Sequence, residues 1–94
     1  MKTKEIKLFH LNGCPYCVQA FRALDELKKE NPAYADIPIV MYEEYEDADV
    51  VAQHDYYYVP TMFIGDQKLY EAHPGERYAE CREQIRKVLD LALQ

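Results

Sequence analysis

Two thiols stand three residues apart in Gly13-Cys14-Pro15-Tyr16-Cys17. Thiols at that spacing can exchange a disulfide bond with a substrate through a mixed-disulfide intermediate. The flanking residues decide whether they do so. Residues 5–11, Glu-Ile-Lys-Leu-Phe-His-Leu, suit a mostly buried strand. After Pro15 the apolar positions are Cys17, Ala20, Phe21, Leu24 and Leu27, the i, i+3, i+4, i+7 spacing of an amphipathic helix. Pro15 lacks an N–H and has its φ already set, so it suits the first helical turn. Cys14 is therefore expected at the helix N-terminus, with Cys17 one turn inside. First-turn N–H groups have no intrahelical partner and carry the positive end of the helix dipole, which favours a thiolate at Cys14. The expected roles are Cys14 as attacking thiol and Cys17 as resolving thiol. Without its context the pair reads equally as two small buried residues or half a zinc site. The strand before it and the helix after it favour redox chemistry.

Other elements must position this pair. Asn31-Pro32 ends the first helix, because a residue before proline avoids α geometry. Residues 37–42, Ile-Pro-Ile-Val-Met-Tyr, predict a second strand, parallel to the first through a right-handed crossover. Pro38 cannot donate to a ladder, so this strand should lie at a sheet edge or begin there. An acidic run from Glu43 to Asp49 leads into a short helix at about 47–54, where it reads as a solvated helix start. Met62-Phe63-Ile64 and Lys68-Leu69-Tyr70-Glu71-Ala72 predict a hairpin about the turn Gly65-Asp66-Gln67. From Arg77 a last helix runs to the end, with Tyr78, Cys81, Ile85, Val88, Leu89 and Ala92 on one face. The order is β-α-β-α-β-β-α in a single domain, residues 1–94.

Composition narrows the partners. The chain is 49% hydrophobic and 30% charged, which suits a packed domain and excludes a disordered one. A net charge of −6 speaks against nucleic acid, which needs a basic face. No apolar run approaches membrane-spanning length, so no membrane partner is expected. The first residues alternate charge without a signal-like apolar stretch, and the expected compartment is the cytoplasm. There a C-x-x-C pair suits catalysis better than stapling. Nine tyrosines and no tryptophan suggest tyrosines along a surface groove.

Cys14-Pro15-Tyr16-Cys17 resembles the active site of the dithiol glutaredoxins, within the thioredoxin-like superfamily. Val59-Pro60-Thr61 resembles that superfamily's cis-proline loop. The resemblance implies a thioredoxin-like (glutaredoxin) α/β fold: a four-stranded mixed sheet of order 2-1-3-4, flanked by helices. It implies a cis Pro60 beside the two sulfurs and a Val59 backbone able to pair with substrate. It also implies substrate contacts from Pro15, Tyr16, Tyr58, Val59, Pro60, Thr61, Gly75 and Glu76. Glutathione is the family's usual co-substrate, with no cofactor bound. Three stretches depart from the glutathione-using pattern. Leu11 stands where a lysine usually binds a glutathione carboxylate. Tyr58 replaces a threonine before Val59-Pro60. His73-Pro74-Gly75-Glu76-Arg77 stands where a Gly-Gly pair, a small polar residue and an aspartate are usual. Two reductants therefore stay open, glutathione and a flavin-dependent reductase, acting on protein or low-molecular-weight disulfides. The chain is expected to work as a monomer.

The remaining candidates have plainer readings. Cys81, on the apolar face of the last helix, reads as a buried inert thiol. His10 reads as a structural strand residue whose face the alternation leaves open. His54 reads as helix surface and His73 as loop. The rival to the enzyme is a metal or iron–sulfur carrier using Cys14. The spacing of Cys14, Cys17, Cys81 and a histidine matches no closed zinc module.

Overall fold

A computed structural model describes residues 3–94. The four strands are β1 (Ile6–His10), β2 (Ile39–Glu43), β3 (Thr61–Ile64) and β4 (Gln67–Glu71). The helices are α1 (Pro15–Glu30), α2 (Pro32–Ala35), α3 (Ala48–Val51) and α4 (Tyr78–Ala92). The strands form one sheet of order β2-β1-β3-β4, as expected. β1 pairs parallel with β2, from Ile6 opposite Ile39 to His10 opposite Glu43. It pairs antiparallel with β3, which pairs antiparallel with β4. Pro38 sits just before β2 at the sheet edge and is used only as an acceptor: its carbonyl takes the Ile6 N–H at 2.9 Å.

Strand alternation sorts β1 into two layers. Ile6 and Leu8 are fully buried in the core formed with α1 and α4. There Ala20, Ala23, Leu24 and Leu27 of α1 meet Cys81, Ile85, Val88, Leu89 and Ala92 of α4. Phe9 faces the other way, into an aromatic layer. Its ring lies 5.3 Å from Tyr42, 5.2 Å from Tyr56, 4.7 Å from His54 and 5.6 Å from Phe63. His54 thus belongs to this layer rather than to an open helix surface. Its Nδ1 is 2.9 Å from the Val50 carbonyl, which turns the ring inward. His10 shares the face of Leu8 and packs edge-on against Phe21 of α1, at 5.3 Å.

Four expectations are refined. The one-turn helix α2 follows α1 directly, because Asn31 ends one helix and caps the next. Its side chain accepts the Ala33 N–H at 3.1 Å, and Pro32 takes the first helical position. The helix expected at 47–54 is a single turn, Ala48–Val51. Glu43, the first of the acidic run, is buried rather than solvated. The tyrosines form no single groove. Tyr34, Tyr56, Tyr70 and Tyr78 each turn a hydroxyl to a carboxylate: Asp90, Glu44, Glu76 and Glu26. In a chain rich in acids, a phenol fills the core with its ring and supplies a donor at its rim.

Candidate active site

The two cysteines lie where β1 gives way to α1. Gly13, at φ +84°, turns the chain in a region open to glycine at little cost. The Cys14 N–H closes that turn on the Leu11 carbonyl at 3.1 Å. Cys14 is the N-cap of α1, in extended backbone, and Pro15 begins the helix. The Cys14 carbonyl accepts the N–H groups of Cys17 at 3.0 Å and Val18 at 3.1 Å, while its sulfur caps nothing. Cys14 is therefore half-buried and open to a substrate, at the positive end of a 16-residue helix.

Cys17 differs in every respect. Only 1% of it is exposed. Burial pushes its thiol up to about 12; the Leu11 N–H, 3.5 Å from Sγ, opposes this, and the neighbouring Cys14 side chain adds to it. The geometry separates a reachable sulfur from a sheltered one that holds its proton at neutral pH.

Val59–Pro60 is a cis peptide bond, as the resemblance implies. Pro60 is buried, Val59 half-buried and Tyr58 exposed. This loop is held from β4. The Glu71 carboxylate accepts the N–H groups of Tyr57 at 2.5 Å and Tyr58 at 2.8 Å, and Ala72 N–H donates to the Pro60 carbonyl at 2.9 Å. Thr61 is buried, and its hydroxyl turns back to the Tyr58 carbonyl. Thr61 thus fastens the loop from within.

The tyrosine of the motif reaches the other expected stretch. Gly75, at φ +82°, donates its N–H to the Tyr16 hydroxyl at 2.7 Å. Gln19 adds a contact from the next turn of α1 to the Glu76 carbonyl, at 3.4 Å. Gly75 is exposed beside Tyr16, whereas Glu76 turns its side chain inward to the Tyr70 hydroxyl at 2.6 Å. Burial raises the Glu76 carboxyl above its ordinary range, and the Tyr70 hydroxyl opposes this.

Sequence reasoning missed two positioning residues. Glu43 accepts the N–H groups of Asn12 at 3.1 Å, Tyr45 at 2.7 Å and Glu46 at 3.0 Å. These bonds hold its carboxyl below the usual range, and they pin the loop before Cys14 to the end of β2. Glu71 is the second, holding the Tyr57–Tyr58 backbone. Glu43 hides in an acidic run that looks solvated, with only its place at the end of a strand next to a turn as a hint, and Glu71 reads as an ordinary residue of the last strand.

A family model described as Glutaredoxin matches residues 6–69, from β1 into β4 and through both cysteines. The chain belongs to the glutaredoxin family. That family is one of thiol–disulfide oxidoreductases, and redox activity is the general function this membership supports. Solved structures agree on the fold. Thioredoxin 1 from Thermosipho africanus aligns with a TM-score of 0.58 at 20% identity, over 96% of this chain and 99% of that one. A malarial protein aligns at 0.61 and 15% identity, over 92% and 97%. The first two thioredoxin domains of Saccharomyces cerevisiae Eps1p align at 0.56 and 18% identity, over 94% of this chain and 34% of that one. At these identities the likeness is one of fold. No curated protein matches the chain. In this glutaredoxin-family chain the matched region ends before the His73–Arg77 stretch. Among the described residues no helix is long and apolar enough to cross a membrane.

Proposed function

We propose that this glutaredoxin-family chain is a dithiol oxidoreductase in which Cys14 attacks and Cys17 resolves. The observation that carries the reading is the contrast between a half-exposed Cys14 and a buried Cys17 one turn apart, whose thiol burial pushes up. The Cys14 thiolate attacks one sulfur of a substrate disulfide. The substrate S–S bond breaks, a mixed disulfide forms at Cys14, and the departing thiolate takes a proton. Cys17 then loses its proton and attacks Cys14 Sγ. The second substrate thiolate leaves, and Cys14–Cys17 becomes the disulfide; two electrons pass to the substrate. Burial, the largest cause of the raised Cys17 thiol, persists in the mixed disulfide, but the smaller raising influence of the Cys14 thiol is gone and the Leu11 N–H still opposes burial. Pro15 and Tyr16 border the sulfurs, and Tyr58, Val59, Pro60 and Thr61 form the loop on which a substrate backbone rests.

The substrates are disulfides of proteins or small thiols, and the chain works as a monomer in the cytoplasm. A flavin-dependent reductase suits it better as electron donor than glutathione does. Leu11 supplies no charge for a glutathione carboxylate, and Glu43, Glu44 and Glu46 gather beside the Asn12 turn. An anionic thiol is repelled there.

The test treats the reduced chain with excess 2-hydroxyethyl disulfide and maps its peptides. The expected product has a Cys14–Cys17 disulfide and a free Cys81. A product with no intramolecular bond, or one joining Cys14 to Cys81, would overturn the mechanism.

A further inference from the structure

His73, Glu76 and Glu80 are brought together by the turn that precedes α4. Gly75 reverses the chain, the Glu76 N–H returns to the His73 carbonyl at 3.0 Å, and Glu80 follows in the first turn of α4. One ligand atom from each residue lies within 4.8 Å of the other two. The donor set is one imidazole nitrogen and two carboxylates.

Two details set this trio apart from a surface cluster of charges. Glu76 is only 5% exposed, and while its Oε1 accepts the Tyr70 hydroxyl, its Oε2 has no partner among the described residues. A buried carboxylate oxygen without a donor is costly, and a cation is one way to satisfy it. The second detail is the setting of the imidazole. His73 Nδ1 lies 3.1 Å from the Pro74 carbonyl, and Nε2 lies 2.6 Å from Glu80 Oε2. A backbone carbonyl on one ring nitrogen, with the other turned to the donor cluster, is how ligating histidines are oriented. His73 and Glu80 are exposed, so they can part enough to seat an ion with bonds of about 2.0–2.2 Å.

We propose that His73, Glu76 and Glu80 bind a divalent first-row transition cation, zinc above all, with water completing its coordination. The imidazole selects such an ion over magnesium or calcium, which prefer all-oxygen shells. The site stands apart from the two sulfurs but touches their frame. The Gly75 N–H meets the Tyr16 hydroxyl, and Gln19 meets the Glu76 carbonyl. An ion that fixes residues 73–80 also fixes the surface on which Tyr16 rests.

The test is calorimetric titration of the full chain carrying Cys14→Ser and Cys17→Ser with zinc chloride at neutral pH. The two substitutions remove thiols that bind zinc themselves. One ion per chain is expected, undisturbed by excess magnesium. His73→Ala and, separately, Glu80→Gln should each weaken it at least about tenfold. Both positions are exposed, and an unchanged circular dichroism spectrum confirms that each variant is folded. Zinc binding that disappears with the two thiols, or that survives both ligand substitutions, would overturn the site. So would an absence of heat together with an unchanged melting temperature on adding zinc.

Discussion

Alkylation of the reduced chain separates the two cysteines quantitatively. With Cys17 pushed up to about 12, pH 7 lies five units below, and about one sulfur in 10⁵ is a thiolate. A free cysteine near 8.5 is about 3% thiolate at that pH. The thiolate fraction lies about 3,000-fold below a free thiol's. The greater nucleophilicity of a high-pKa thiolate offsets part of that, and Cys17 should react on the order of 100-fold more slowly, before its burial is counted. Cys81, fully buried and raised in the same direction by desolvation, should be silent too. The assay adds iodoacetamide at pH 7, quenches at intervals, and reads intact mass and peptide maps. One adduct is expected, on Cys14, over a period in which the urea-unfolded chain takes three. Two adducts in the folded chain over that period, or a first adduct on Cys17, would rule out a sheltered Cys17.

Other outcomes follow from the same geometry. Glu43 is held below its ordinary value near 4.5, so its stabilising contribution is full above that value and is lost as pH falls through the folded one. In urea unfolding, wild type should exceed Glu43→Gln at pH 6, and the gap should close as the pH falls from about 4.5. Tyr16→Phe removes the acceptor for the Gly75 N–H and should cost about 0.5–1 kcal/mol by denaturant titration. Ile85→Ala opens a cavity at a fully buried position of α4 and should cost about 2–5 kcal/mol in the same measurement. Leu11→Lys should raise the rate at which glutathione reduces the Cys14–Cys17 disulfide, while wild type responds poorly. Rapid, saturable turnover of wild type with glutathione would contradict the role given to Leu11.

The parts legible in the sequence are those with strong periodicity. α1 and α4 carry apolar residues at helical spacing, and those residues are the ones that face each other in the core. Pro38 marked an edge strand because a missing donor has only a few places to go. Residues whose role comes from tertiary neighbours were not legible. Asn31-Pro32 reads as a stop, but the same two residues are a cap and a first position, so α2 starts where α1 ends. His54 reads as solvent-facing because one partner, Phe9, comes from a strand far away in sequence, and the other, Phe63, meets it only once the chain has turned through the cis-proline loop. Glu43 and Glu71 looked like any other acids until the fold brought backbone N–H groups to them. The cysteine motif is plain from its spacing; the degree to which Cys17 is sheltered is not, since it depends on the Leu11 N–H and on burial in the folded chain.

The division of labour between the sulfurs is tested most directly by trapping. Cys17→Ser and Cys14→Ser chains, reduced and mixed with a disulfide-bonded protein substrate, are run on non-reducing gels. Cys17→Ser should accumulate a mixed disulfide mapped to Cys14, with Cys14→Ser forming none. Trapping through Cys17, or equal trapping by both variants, would contradict it.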